Sequence, residues 1–566
     1  VSRLATGFAD EDTMFPARTR SRSWCWGLFA LGLSLAACCA VSADAQIFDE
    51  KFELWPTDLT IHGTVIACAE GEVPSKLAPI FQQASGGDDG VVVVLRFGDE
   101  HPDFQDFTSA AQQIKQYNFA VGKQPTSEQL AALLEDLSAA TGVLIVAAGD
   151  VHAGDDGDGR SYVEAVRRVV EDGGVVCAIG GGALQLADQQ WMGDAEQPSS
   201  RGGWQLLPDS VLFDASRFVD DPVDSMLEVL EASPTSVGMA IPRDTAIVLE
   251  GRKIRVYGEG KASFVLAANE RQPARVQHVG AIRRGRFDPY RHVIDLTAWR
   301  RDALERRLPP FPPAQPPTPR VDKGSLIIVG GGGMPKGLME RMVELAGGEQ
   351  AKMVFVPCSE QQQVSSDEWI VRKWKAMGVA SAVVLHTKDR HRANGDDAFL
   401  EPLKQATGIW FGGGRQWNLA DSYYGTESHR LMKKVLRRGG VVGGSSAGAS
   451  IQAGYLARAN PVANFDIMAP GYERGLGFIR GVAIDQHFSQ RGRQKDMTQL
   501  VERYPQLLGI GIDETTALVV QQSVAEVVGK GQVYFYDRQR PVVEGEPDYV
   551  AVPAGERFDL AKRKTL

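Results

Sequence analysis

Apolar runs alternate with amphipathic segments along this chain, most clearly in its second half. Ser325 to Val329 has the make-up of a buried strand, with Gly330 to Gly333 as its turn. Helical spacing follows from Lys336 to Ala346, then strand from Lys352 to Val356 and helix from Asp367 to Met377. Ala380 to Leu385 and Gly408 to Phe411 are strands, Glu427 to Arg437 is helical, and Gly440 to Val442 is strand again. Short apolar runs separated by amphipathic helices predict a parallel, doubly wound α/β sheet. In such sheets the functional groups gather outside the carboxyl ends of the strands. Gly330 to Gly333, Gly412 to Gln416 and Ser446 are all expected there. After Asp485 the pattern becomes irregular. Ala525 to Tyr536, with Gly529-Lys530-Gly531 inside it, predicts a hairpin, and Lys562-Arg-Lys564 a solvated basic tail.

The pattern occurs twice. Ala140-Thr-Gly-Val-Leu-Ile-Val146 echoes Ala406-Thr-Gly-Ile-Trp-Phe-Gly412, and Arg168-Val-Val-Glu-Asp-Gly-Gly-Val-Val176 echoes Lys434-Val-Leu-Arg-Arg-Gly-Gly-Val-Val442, both at an offset of 266. Farther on, Ser233 to Ile241 echoes Tyr504 to Ile512, and Thr245-Ala246 falls on Thr516-Ala517, at an offset of 271. Several echoes in one order predict a duplicated design. Between the copies, the proline-rich run Leu308 to Pro319 predicts a semi-rigid, extended spacer. The expected domains are 46–300 and 324–566, joined by a linker over 301–323.

At 566 residues, 43% hydrophobic and 23% charged, the chain has the composition of an ordinary globular protein of several domains. Its net charge of −10 argues against a general nucleic-acid binder. Residues 1–45 read as a secretory leader: Arg18, Arg20 and Arg22, an apolar run from Trp24 to Val41, and the cleavage-like Ala43-Asp44-Ala45. This predicts export, periplasmic or extracellular. Leu35-Ala36-Ala37-Cys38 also has the form of a lipoprotein box, so a lipid anchor at Cys38 is the alternative and the only expected membrane contact. Cleavage after Ala45 leaves Cys68, Cys177 and Cys358 of the six cysteines, without zinc spacing or a disulfide framework. No metal and no cofactor is expected.

Chemistry concentrates at Arg438-Gly-Gly-Val-Val-Gly-Gly-Ser-Ser-Ala-Gly-Ala-Ser450. Gly444-x-Ser446-x-Gly448 fits a nucleophile elbow, in which a strand ends, the chain turns sharply and a helix begins, here over Ala449 to Leu456. The alternative is a Gly/Ser-rich turn without chemistry. A serine nucleophile needs a base, and the base needs an orienting group. Ile484-Asp485-Gln486-His487-Phe488-Ser489-Gln490-Arg491-Gly492-Arg493 offers the base, His487, at the end of an apolar strand. Leu508 to Ala517 is another strand, ending in the carboxylates Asp513 and Glu514. Gly330 to Gly333 lacks the spacing of a phosphate-binding loop.

Taken together, Gly412-Gly-Gly-Arg-Gln416, Gly443-Gly-Ser-Ser-Ala-Gly-Ala449, Asp485 to Arg493 and Gly509-Ile-Gly-Ile-Asp-Glu514 resemble the cyanophycinases and the related dipeptidase E-like serine peptidases. The resemblance spans roughly Leu326 to Asp537. It implies two tandem domains of class I glutamine amidotransferase-like (flavodoxin-like) fold. It implies Ser446 as nucleophile, His487 as general base and Glu514 as the group orienting the imidazole. Gly414 and Ala447 would supply the oxyanion-hole N–H groups, and Gln416, Asp485, Gln486, Arg491 and Arg493 would line the substrate pocket. The implied substrate is a peptide or a cyanophycin-like polymer, an aspartate backbone with arginine on its side carboxylates, cut to β-aspartyl-arginine dipeptides. An aspartyl dipeptidase and an inactive carboxylate-binding protein are the alternatives. Two positions depart from the cyanophycinase pattern. Arg415 stands where an acidic residue or Asn is usual, and Lys495-Asp496-Met497 where a third arginine is usual.

In the first copy, Ser446 falls on Gly180, Gln416 on Asp150, His487 on Ser216 and Glu514 on Arg243. That copy is therefore expected to be non-catalytic and to form an intrachain pseudo-dimer with the other.

Overall fold

The computed structural model describes residues 55–566 apart from 57–58, 99–103, 121–125, 148–158, 192–199, 216–221 and 283–286. The leader at 1–45, the Cys38 anchor, and Asp150 and Ser216 lie outside the described residues. No helix among the described residues is long and apolar enough to cross a membrane.

Two large mixed sheets dominate. In the first half the strands stand in the order Gln113–Phe119, Val91–Phe97, Gly142–Ala147, Val175–Gly180, Thr64–Cys68, Thr245–Glu250, Lys253–Gly258 and Ile294–Asp295. In the second the order is Ser381–Val384, Lys352–Cys358, Gly408–Gly414, Val441–Ser445, Val321–Val329, Thr516–Gln522, Val524–Gly529, Arg557–Asp559 and Lys564–Thr565. In each sheet the first five strands are parallel and the remainder antiparallel. The central parallel strands are apolar on both faces, as Val92 to Leu95 and Leu326 to Val329 illustrate, because helices cover both sides. Each large sheet is accompanied by a smaller one of parallel and antiparallel strands.

The hydrogen bonds at the strand ends match between halves. Ala69 N–H donates to Thr245 O at 3.0 Å as Gly330 N–H does to Thr516 O at 2.9 Å. Asp244 N–H donates to Glu70 O at 3.1 Å as Thr515 N–H does to Gly331 O at 2.8 Å. In strand register, Ile179 pairs with Cys68 and Ser445 with Val329, so Gly180 follows its strand where Ser446 follows its own. Gly180 has φ +72° and Ser446 φ +57°.

Four local expectations are corrected. The helix after Ser446 is a single turn, Ala447–Ser450, followed by a strand at Ala453–Tyr455. The Gln452 amide donates to Gly448 O at 2.9 Å, taking the carbonyl that a further helical turn would use. Val524–Gly529 and Gln532–Asp537 are not a hairpin: the first pairs with Thr516–Gln522 in the large sheet, the second with Leu508–Ile512 in the small one. The glycines between them carry the chain from sheet to sheet, and a Cβ on Gly529 would lie 2.2 Å from Thr515 O. The interval 301–323 is not all spacer. Residues 301–305 complete a buried helix, Leu296–Glu305, and the strand Val321–Val329 has begun by 321. The prolines between are docked through their carbonyls, which accept from Arg474 (Pro309 O, 3.2 Å) and Gln506 (Pro313 O, 3.3 Å). Arg563, read as part of a solvated tail, is buried and pairs with Asp537 at 2.7 Å.

Candidate active site

The carboxyl ends of three neighbouring parallel strands, Gly408–Gly414, Val441–Ser445 and Val321–Val329, bring the glycine loops and Ser446 together. Ser446 sits at φ +57°, ψ −114°, a strained conformation for a residue with a Cβ. Its N–H donates to Val329 O at 3.0 Å. The flanking glycines are required by close backbone approach. A Cβ on Gly444 would lie 2.3 Å from Gly448 O, and one on Gly448 2.1 Å from Phe411 O.

His487 follows the strand Ile479–Gln486, and its N–H donates to Gly330 O at 2.8 Å, which fixes the turn that presents the ring. Its Nε2 lies 2.9 Å from Ser446 Oγ, and its Nδ1 lies 2.6 Å from Glu514 Oε1. Glu514 follows the strand Leu508–Ile512, and its N–H donates to Gln490 Oε1 at 2.9 Å. Asp513 is the buried member of the carboxylate pair. Its Oδ1 accepts the Ser489 N–H at 3.0 Å, tying the His487 loop to the Glu514 loop. A hydroxyl, an imidazole and a carboxylate thus form one hydrogen-bonded line, the arrangement that lets a serine lose its proton as it attacks.

Burial pulls the His487 pKa below its ordinary 6.5, the hydrogen bond it donates to Glu514 opposes this, and Arg491 adds to the lowering. The ring is therefore neutral at pH 7, the state a general base needs.

Gly331 and Gly332, expected at the strand ends only as part of a turn, make room for the imidazole and the carboxylate. A Cβ on Gly331 would lie 2.3 Å from His487 Cε1 and 2.5 Å from Nε2, and one on Gly332 2.5 Å from Glu514 Oε2. The run weighed as a phosphate loop is the floor on which imidazole and carboxylate rest. In the first half Glu70 stands at the register of Gly331 and pairs with Arg243 at 3.6 Å. The signal was available in the repeat itself, since glycine is needed only where a ring must be cleared.

The oxyanion candidates flank the serine. Ala447 follows it, and a Cβ on Gly413, next to Gly414, would lie 3.5 Å from Ser446 Cβ. Gly414 has φ +145° and packs on Cys358, where a Cβ would lie 2.5 Å from the carbonyl oxygen. The pocket candidates divide. Arg491 is exposed. Gln416, Asp485, Gln486 and Arg493 are buried. Gln416 Nε2 donates to Ala457 O at 2.6 Å and Arg458 O at 2.8 Å. Asp485 is held between Arg493 (2.9 Å) and Arg458 (2.8 Å), and Arg493 also donates to Gln486 O at 2.7 Å. Asp485 and Arg493 therefore brace the wall beside His487 by pairing with each other. Both departures from the cyanophycinase pattern have partners. Arg415 donates to Asn460 O at 2.8 Å, and Asp496 accepts from Arg458 at 2.5 Å. No group of three or more His, Cys, Asp or Glu side chains among the described residues could hold a metal ion.

The family model of peptidase family S51 matches residues 326–528. A cyanophycinase of Geminocystis herdmanii is 30% identical over 227 residues, which cover 38% of this chain and 82% of that protein. A cyanophycinase of Trichormus variabilis is 26% identical over 272 residues, covering 44% of this chain and 90% of that protein. Among solved structures, a peptidase from an acI-B1 actinobacterium is 24% identical, with a TM-score of 0.32, over 42% of this chain and 97% of its own. Sequence likeness over most of the length of the cyanophycinases, spanning all four motifs around Ser446, makes this chain a member of peptidase family S51 and a serine-type peptidase.

Proposed function

We propose that this chain hydrolyses aspartyl peptide or isopeptide bonds in a cyanophycin-type polymer, releasing β-aspartyl-arginine dipeptides, with Ser446, His487 and Glu514 as the catalytic residues. The observation that carries the reading is the unbroken line from Ser446 Oγ through His487 to Glu514, at 2.9 and 2.6 Å. Ser446 Oγ attacks the carbonyl carbon while its proton passes to His487 Nε2. The carbonyl oxygen, now negative, receives N–H groups from Gly414 and Ala447. Collapse breaks the C–N bond, His487 returns its proton to the leaving amine, and an ester remains on Ser446. Water attacks that ester with His487 again taking a proton, and Ser446 is released protonated. Glu514 accepts from Nδ1–H, fixes the tautomer and stabilises the imidazolium. One lost oxyanion donor typically costs about 10²–10³-fold in turnover.

The substrate side rests on the relatives' cyanophycinase activity and on Arg491, an exposed cation beside His487 that suits a carboxylate-rich chain. Incubation with cyanophycin, followed by mass spectrometry, is expected to yield β-aspartyl-arginine. Intact polymer alongside cleaved aspartyl dipeptides would assign the same machinery to an exopeptidase instead.

Arg491 also gives a pH test. Its charge disfavours the imidazolium, so Arg491→Gln raises the His487 pKa. The acid limb of kcat/KM, where activity is lost as the base protonates, is then expected to move to higher pH. A limb that stays put or moves lower in the pH–rate profile counts against His487 as the base.

The first half is proposed to be a non-catalytic copy of the second, supported by the shared strand order, the matched strand-end hydrogen bonds, and Gly180 and Arg243 at the registers of Ser446 and Glu514. Export is proposed from the leader pattern of residues 1–45. N-terminal sequencing of protein recovered outside the cytoplasm tests it, with cleavage before Gln46 expected.

A further inference from the structure

The helix Trp417–Tyr423 begins one residue after Gln416, and Gly414 lies two positions earlier still. Loop and helix are joined by backbone hydrogen bonds: Asn418 N–H donates to Arg415 O at 3.0 Å, and Leu419 N–H to Gln416 O at 3.1 Å. A displacement of this helix therefore displaces Gly414. The helix carries Trp417 and Asp421, four residues apart and hence on one face, and that face meets the first half of the chain.

Arg252 grips both residues. Its guanidinium lies 4.5 Å from the Trp417 ring centre, and its Nη1 is 2.7 Å from Asp421 Oδ2. The other edge of the guanidinium makes two parallel bonds to Asp295, at 2.6 and 2.8 Å. Asp295 in turn caps the buried helix Leu296–Glu305 by accepting the Ala298 N–H at 2.8 Å. From that helix, Arg301 reaches Asp421 Oδ1 at 3.2 Å and Gly471 O at 2.8 Å, with Trp55 and Tyr472 stacked on it at 4.5 and 4.4 Å. Tyr472 OH bridges the two, donating to Asp421 at 2.7 Å and accepting from Arg252 at 2.5 Å. Arg390 completes the surround through Asp421 O at 2.6 Å and Tyr424 O at 2.8 Å. Asp295, Asp421 and Arg301 are nearly inaccessible to water. Burial alone would raise the Asp421 carboxyl, but Arg252 and Arg301 hold it below the ordinary range.

We infer that Arg252 is a positioning residue for the reaction. By clamping Trp417 and Asp421 it holds the helix that sets Gly414 opposite Ser446, so the half without a nucleophile is needed for turnover in the other. The inference rests on the proposed roles of Ser446 and Gly414. An active site tolerates little slack, since misplacing a group by about 1 Å costs on the order of 10²-fold. A buried fork to a carboxylate, with a ring beneath it, has little freedom to slide.

The test uses the full chain. Arg252→Met keeps the volume and removes the fork and its charge. Turnover of cyanophycin is expected to fall about 10–100-fold with KM within about twofold, since what is lost is transition-state positioning rather than ground-state binding. The labelling rate of Ser446 by a fluorophosphonate should fall in parallel, and the acid limb of kcat/KM, set by His487, should not move. Arg252→Lys should recover part of the loss, and Arg255→Met, at the exposed pair with Glu250, should turn over as wild type. A folded Arg252→Met that melts lower but turns over and labels as wild type assigns the cluster to stability alone and overturns the inference. If Arg252→Met does not fold, Arg252→Lys decides. Reduced kcat at unchanged KM supports the clamp, and wild-type kcat overturns it. A wild-type chain that labels but does not cut cyanophycin removes the substrate assignment and leaves the labelling comparison valid. One that does not label at Ser446 removes the proposed mechanism and the clamp with it.

Discussion

Ser446→Ala is expected to lower kcat on a cyanophycin-type substrate about 10⁶-fold, with KM within a few fold of wild type. The size follows from the geometry. The attacking oxygen is the only atom removed, and it stands at the head of the chain of bonds through His487 to Glu514. Residues acting as one unit are non-additive, so His487→Ala should cost nearly as much, and the double variant little more than either. A residual of about 10³–10⁴ over the uncatalysed rate should persist, from substrate binding and the N–H groups of Gly414 and Ala447. Folding should be unaffected: alanine carries the same Cβ, and therefore the same strain, at φ +57°. Active-site labelling combined with steady-state kinetics reads the result. Retention of more than about a tenth of the wild-type kcat by a cleanly purified Ser446→Ala would place the nucleophile elsewhere.

The candidate triad was legible in the sequence because each member follows its own strand end, while the roles came from the resemblance to cyanophycinases. Val441-Val442 runs into the glycine turn at Ser446, Ile484 into His487, and Ile512 into Asp513-Glu514. Periodicity located the strands, and the fold brings the end of one strand of the large sheet, Val441–Ser445, to the ends of two strands of the small sheet, Ile479–Gln486 and Leu508–Ile512. Partners were less legible. The run Ala525 to Tyr536 alternates as a hairpin does, yet its two strands join different sheets, since alternation encodes burial and not pairing. The helix after Ser446 stops at one turn because a side-chain amide from Gln452 outcompetes the backbone, a contest that propensity does not register. The resemblance to cyanophycinases implies Asp485 and Arg493 as pocket groups, and in the structure they pair with each other. Their mutual neutralisation depends on Arg458, 27 positions before Asp485, whose guanidinium reaches both Asp485 and Asp496. The clamp is farther still from local reading. Arg252 and Asp421 are 169 residues apart, and only the packing of one half on the other brings them together.

Gly331→Ala should impair turnover strongly, although it removes no functional group. The added methyl would lie 2.3, 2.5 and 2.9 Å from His487 Cε1, Nε2 and Nδ1, well inside van der Waals contact. The ring is tethered at both nitrogens. Its Nε2 is held 2.9 Å from Ser446 and its Nδ1 2.6 Å from Glu514, so any shift that clears the methyl lengthens one bond or both. Proton transfer by a positioned side chain contributes about 10²–10⁴-fold, so a ring displaced but still present is expected to lower kcat on the order of 10³-fold, less than removal of His487 itself. Part of the cost is backbone strain, because Gly331 has φ +99°. Gly347→Ala isolates that part: its φ is +107° and a Cβ there meets nothing within 4 Å. It should lower the melting temperature by a few degrees, as about 1 kcal/mol does, and leave kcat unchanged. The comparison therefore separates a strained glycine from one that makes room for catalysis. Equal kcat in the two variants would mean that the imidazole does not work from the position above Gly331.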